Sequence, residues 1–285
     1  MKGHPALVEA LHSEWGLILF TTLVPIACGI VLIGMLAGSP IEAGITAVVV
    51  AGLGLLASVG HLDRPVRAPF SIRHLRTSWL SREILMAVIF FLLTLTWAIV
   101  SYLNYESAIY LGIAALIAAI PLFLSMGESY LIWARPAWDG PEIFAEIATV
   151  ILIAGFPAGE LAIASAKPAN WLGWVGVSGV AVGLGLYYWA TNHRLHRLAS
   201  LTSQRHNASE SLARCQSLRG SFQVAFSLGV LALIGAIIAV TTELYIAGWA
   251  TALGCGLVSQ LLSRTLFYSL PVQTRYVVPI KVAKW

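Results

Sequence analysis

Eight runs of apolar residues dictate what this chain can become. They fall at roughly 16–38, 43–60, 84–103, 108–127, 143–165, 172–191, 221–241 and 245–264. A hydrocarbon layer about 30 Å thick is crossed by about 20 apolar residues in a helix. Lipid offers the backbone no hydrogen-bond partner, so each crossing segment closes its own bonds as a helix. Eight crossings take up about 160 residues of a chain of 285. Composition points the same way, with 58% hydrophobic and 11% charged residues, against about 25% charged in a soluble domain. A soluble globular enzyme, a disordered chain and a nucleic-acid binder are excluded. The net charge of +4 does not restore the last of these, because the charges sit in short segments between apolar runs. The expected fold is an all-α polytopic membrane protein. It is one integral-membrane domain over 1–285, a bundle of eight transmembrane helices in a lipid bilayer, without repeat, linker or soluble domain.

The connectors alternate in character. Those at 37–42, 104–107, 167–170 and 242–244 are brief, whereas 61–83, 128–142 and 192–220 are long, polar and rich in arginine. Of the 17 lysines and arginines, all but Lys167 fall on the termini and long connectors. An even number of helices puts both termini on one face. The positive-inside rule then predicts that the termini and basic loops are cytoplasmic, in a bacterial or archaeal cell membrane. The same arginines also suit a docking surface for another subunit. The first 13 residues carry one lysine and no short apolar core with a cleavage site, so the first run is expected to be a retained helix. Cys28, Cys215 and Cys255 are widely spaced and fit no metal, haem-attachment or iron–sulfur pattern.

The densest polar stretch runs His61-Leu62-Asp63-Arg64-Pro65-Val66-Arg67-Ala68-Pro69 and resumes at Ser78-Trp79-Leu80-Ser81-Arg82-Glu83. Pro65 and Pro69 interrupt helical continuation, so a structured loop is expected at the membrane surface, with Ser81 capping the third helix. Taken singly, Glu83 reads as a carboxylate at a helix start, and the arginines as lipid-phosphate contacts. Taken together, His61, Arg67 and Glu83 around one lipid-accessible cleft suit quinol oxidation. A histidine accepts a proton from a hydroxyl and a carboxylate relays it, while an arginine orients the oxygens.

These residues resemble the membrane anchor subunit of dimethyl sulfoxide reductase. That family carries His-Leu-Gly-x-Pro-x-Arg-Ala at the end of its second helix and Leu-Ser-x-Glu entering the third. Here the segments read His61 to Ala68 and Leu80-Ser81-Arg82-Glu83. Arg264-Thr265-Leu266-Phe267-Tyr268 is similar to the family's Arg-x-x-Phe-Tyr in the last helix, and His12-Ser13-Glu14-Trp15 to its entry segment. Asp63-Arg64 departs from the family's Gly and small residue, which bears on loop geometry and quinone preference. The resemblance implies a three-subunit complex. This chain would anchor a four-cluster iron–sulfur subunit and a molybdopterin catalytic subunit on its basic face. It would exchange electrons with quinone or menaquinol at His61, Arg67 and Glu83, and hold neither molybdopterin nor iron–sulfur clusters itself. Substrate chemistry would lie on the partner.

Arg64, Trp79, Ser81, Glu128, Tyr130, Glu146 and Arg264 are further candidates for the quinone cleft, Trp79 by stacking on the ring. Capping and interfacial anchoring account for Glu128, Tyr130 and Glu146 equally well. Glu160 is a candidate partner of Lys167. Haem is not expected, since only His12 and His61 approach the membrane. His193 and His196 have the spacing of a helical metal pair, but Arg194 and Arg197 beside them argue for a basic docking face. No metal site is expected. A small secondary transporter and a purely structural anchor are the competing readings; Glu146, Glu160 and the Gly/Pro-interrupted helices favour the former, and the lack of two-half symmetry weighs against it.

Overall fold

The computed structural model describes residues 5–38, 40–60, 73–166, 169–205 and 207–271, and every regular element among them is helical. In chain order these are α1 (Pro5–Ser13), α2 (Trp15–Ala37), α3 (Pro40–Gly60), α4 (Trp79–Tyr102), α5 (Ala108–Glu128) and α6 (Glu142–Val150). A π-helical segment (Ile151–Gly155) continues into α7 (Phe156–Ala162), followed by α8 (Asn170–Leu201), α9 (Ala208–Ser217), α10 (Arg219–Thr241) and α11 (Tyr245–Ser269). Among the described residues eight helical spans are long and apolar enough to cross a membrane, α6 to α7 counting as one.

Burial separates inner from outer helices. The most apolar stretch of α2 is 78% buried and that of α6–α7 72%, whereas α3, α4, α5 and α10 are each 33% buried. A helix hydrophobic all round belongs inside, and lipid covers the rest. Neighbouring spans pair as antiparallel hairpins across the short connectors, α2 with α3, α4 with α5 and α10 with α11. α2 packs along the whole α6–α7 span. There Gly29 meets Gly155 and the Ile151 carbonyl, an approach of two backbones that only small residues allow. The Gly-rich second run behaves similarly: a Cβ on Gly44 of α3 would lie 3.0 Å from that of Ala98 on α4.

The π segment has a local cause. Pro157 has no N–H to give the Ile153 carbonyl one turn before it. The backbone widens instead, with the Phe156 N–H donating to the Ile151 carbonyl. A Cβ on Gly256 of α11 would run into the Ile153 carbonyl oxygen, so glycine is what lets α11 come this close to the π segment.

Three expected boundaries shift. The third long connector begins later than 192, because α8 runs on to Leu201 and α9 forms within it. Leu198 and Arg194 face inward along that extension, so tertiary burial rather than lipid hydropathy sustains the helix. α4 begins at Trp79, and its cap is Ser78 rather than Ser81: the Ser78 hydroxyl accepts the Ser81 N–H at 3.3 Å. The last helix, expected to end at 264, continues to Ser269, so Arg264, counted with the basic residues of the termini and loops, lies inside α11 at 1% exposure.

Candidate functional site

The Ser78 cap fixes the first turn of α4 and thereby aims Glu83 inward, to 2% exposure. Its Oε2 accepts a hydrogen bond of 2.7 Å from Ser129, the residue that ends α5. The chain then turns, and the buried Tyr130 phenol hydrogen-bonds the phenol of Tyr268 on α11. Tyr130 meets Trp138, Phe267 and Tyr268 edge-on at centroid distances of 5.5, 5.4 and 5.9 Å. Trp138 stacks on Phe267 at 5.1 Å and donates from Nε1 to the Phe267 carbonyl at 2.9 Å. Burial pushes the Tyr130 phenol well above its ordinary range; the nearby Tyr268 and Glu83 reinforce this and Arg264 opposes it. Tyr130 therefore stays protonated, a fixed hydrogen-bond donor, across the physiological range.

Arg264 closes this cluster from α11. Its guanidinium lies 5.5 Å from the Phe267 ring centroid. Its Nε and Nη2 are buried without a hydrogen-bond partner, and no described carboxylate pairs with it. An isolated buried cation is costly, and a buried donor without an acceptor adds to that cost. The arrangement suits a ligand oxygen: a guanidinium with free donors, a neutral phenol pair, a carboxyl and a wall of aromatic rings. Arg264 and Tyr268 sit one helical turn apart, so the Arg-x-x-Phe-Tyr spacing presents both on one face. Ser129 and Trp138 were not singled out from the sequence, although Ser129 adjoins Glu128 and Tyr130, which were; Tyr268 was named there only within the Arg-x-x-Phe-Tyr segment.

Ser129→Ala removes the donor that holds Glu83, leaving a buried carboxyl oxygen unmatched among the described residues. It is expected to cost about 1–3 kcal/mol of stability, read as an earlier midpoint in detergent-denaturation curves of the quinone-free protein.

The other candidates are distributed differently. His61, Arg64 and Arg67 lie outside the described residues, as does Lys167. Ser81 is buried at the start of α4, whereas Trp79 is 41% exposed. The Arg82 guanidinium lies 4.1 Å from the Trp79 ring centroid and reaches back to the carbonyls of Leu75 and Arg76 at 2.8 and 3.0 Å. Trp79 thus belongs to the surface of that turn, not to the Glu83 cluster. Glu128 is half-buried beside Ser129.

Glu146 belongs to a second buried cluster. Arg194 Nη1 binds Glu146 Oε1 at 2.5 Å, and Arg194 Nε binds the Ala137 carbonyl at 3.1 Å. Arg197 donates from Nε to Glu142 Oε1 at 2.9 Å and from Nη1 to the Pro136 carbonyl at 2.9 Å. Neither arginine forms the exposed docking face expected from the sequence. The continued α8 helix turns Arg194 into the core at 1% exposure, and Arg197 is largely covered by its pairing with Glu142.

At the other end of α7, Glu160 is fully buried and accepts from the Tyr245 phenol at 2.8 Å. Among the described residues no group of three His, Cys, Asp or Glu side chains could hold a metal ion. No curated protein sequence matches the chain. Residues 9–270 match the family model described as DMSO reductase anchor subunit (DmsC).

Proposed function

Since this chain belongs to the DMSO reductase anchor subunit (DmsC) family, we propose that it binds quinol at the Glu83–Tyr130–Arg264 cluster and passes the electrons to a docked iron–sulfur subunit. The observation that carries this reading is Arg264, a buried guanidinium with two unpartnered nitrogens among aromatic rings. A quinone head group matches that wall, and its oxygens match the free donors. Quinol oxidation supplies two electrons and releases two protons.

In this reading Arg264 holds one ring oxygen and Tyr130 keeps its proton and donates to the same side. Glu83, held by Ser129, accepts a proton released at the site. His61 and Arg67 complete the site from the preceding connector, His61 taking a hydroxyl proton and Arg67 steadying the negative charge that develops. The partners are a four-cluster iron–sulfur subunit and a molybdopterin subunit on the basic face, which the positive-inside rule puts in the cytoplasm together with both termini. Menaquinol oxidation is the direction for a reductase. A cytoplasm-facing sulfite dehydrogenase-like complex would run the same site toward quinone reduction.

The test uses the assembled complex carrying His61→Ala or Arg264→Gln. Quinol-driven turnover is expected to fall at least about tenfold, the equivalent of ~1.4 kcal/mol of barrier. Turnover driven by an artificial donor that reduces the partner subunits directly should persist. Undiminished quinol-driven turnover in assembled His61→Ala complex overturns the proposal.

A further inference from the structure

Quinol oxidation leaves protons inside a bundle walled by lipid, and they need a way to water. Glu142 and Glu146 are buried carboxylates that take no part in the cluster around Arg264. They nevertheless belong to a file of polar groups that begins beside it. Thr149 Oγ1 of α6 donates to Gln260 Oε1 of α11 at 3.0 Å. The two helices run in opposite directions, so one turn from this pair brings Glu146 level with Arg264. Both guanidiniums lie near the Phe267 ring, Arg194 at 5.9 Å and Arg264 at 5.5 Å from its centroid.

Four buried polar atoms here have no protein partner: Arg264 Nε and Nη2, Arg194 Nη2 and Glu146 Oε2. Buried polar atoms in native proteins nearly always have one, and ordered water supplies it where side chains do not. Arg264 and Glu146 thus each keep a polar atom for a bound water, one turn along α11 and α6 from the Gln260–Thr149 hydrogen bond. From Glu146 the contacts run through Arg194 to Glu142 and on to His193. Arg194 binds Glu146 Oε1 at 2.5 Å and lies 3.8 Å from Glu142 Oε1. Glu142 Oε2 is 3.1 Å from His193 Nδ1. The His193 side chain is 38% exposed and its ring stacks on Trp189 at 4.9 Å.

We propose that this file is the proton exit of the quinol site, an inference that rests on the quinol reading above. A proton released at the site passes through bound water to the Glu146 carboxylate, which becomes the acid. It moves on to Glu142, four residues away on the same helical face, through a bound water beside the Arg194 guanidinium, whose Nη2 has no protein partner, and then to His193. The imidazolium gives the proton to water and returns to neutral imidazole. Arg194 carries no proton along the way, because a guanidinium does not deprotonate in proteins. It is a positioning residue that holds both carboxylates. Arg197 does the same for Glu142. The other titratable groups facing Arg194 and these carboxylates are Tyr187 of α8 and Cys215 of α9. Burial pushes the Cys215 thiol up, which leaves it protonated and outside the relay.

The test is chemical rescue in the assembled complex at saturating menaquinol. His193→Ala is expected to lower kcat at least about tenfold, within the range of a lost acid–base group, with KM for quinol unchanged. Added imidazole should restore the rate. Glu146→Gln keeps its size and a hydrogen bond to Arg194, and is expected to lose kcat similarly without responding to imidazole. A wild-type rate in His193→Ala, or a slow rate that imidazole leaves unmoved, overturns the exit route. The quinol reading fails separately: in that case His61→Ala and Arg264→Gln also leave quinol-driven turnover intact.

Discussion

Arg194→Ala is expected to cost about 3–5 kcal/mol of stability, because it strips a buried carboxylate of its counter-ion. Arg194 is 1% exposed and pairs with Glu146 at 2.5 Å, while its Nε ties the Ala137 carbonyl to α8. Removing it leaves Glu146 buried beside a second carboxylate, Glu142, which retains only Arg197 and His193. The loss should appear as an earlier midpoint in detergent denaturation and a lower yield of assembled complex. Arg205→Ala is the comparison. Its pair with Asp139 at 2.6 Å is open to solvent at 20% and 24% exposure, and such pairs are worth about 0–1 kcal/mol. Equal losses in the two variants would refute the buried-pair account. The double variant Arg194→Met with Glu146→Leu should recover much of the stability, since well-packed apolar side chains replace a buried pair at little cost.

Gly29→Ala carries the second large effect, and its sign is opposite to helix propensity. A Cβ at Gly29 would lie 2.7 Å from Gly155 Cα, and 2.8 Å from both the Gly155 carbonyl carbon and the Ile151 carbonyl oxygen. All three are backbone atoms of the π segment and its junction with α7, so no side-chain rotation relieves the clash. Overpacking of this kind costs about 1–3 kcal/mol, and the backbone contact puts Gly29→Ala at the upper end. At Gly185 of α8 an added Cβ meets nothing within 4 Å. There the same substitution should be neutral or stabilising, since alanine is about 1 kcal/mol better than glycine in a helix. Denaturation midpoints that move together would refute the assignment of the α2–α7 contact.

The two predictions draw on features with very different visibility in the sequence. Pro157 is plain in it, and its missing N–H points straight to the Ile153 carbonyl that the π segment exposes. Nothing in the sequence says that Gly256, almost a hundred residues later, closes on that oxygen. Glu83 was legible because its position at a helix start follows from the polar stretch before it. Arg264 was counted with the basic residues of the termini and loops because it closes an apolar run, although its motif placed it at the last helix. What marks it, the absence of a counter-ion, is a relation to residues on other helices. Arg194 and Arg197 were misread for a related reason. Hydropathy ends the sixth run at 191, yet α8 continues because carboxylates on α6 meet its arginines.

Hydropathy is a local property, and it was sufficient to determine that the chain is a membrane protein with eight spans, where those spans lie, and which connectors carry the charge. The motifs at 61–83 and 264–268 were sufficient to indicate the family. Only the tertiary structure decided which polar groups share a site. It joined Glu83 to Ser129 and Tyr130 to Tyr268, and it withdrew Glu146 into a pair with Arg194. The physical reason is the low dielectric of the bundle. Inside it a charge takes its role from whatever lies within about 4 Å, and those neighbours come from helices far apart in the chain.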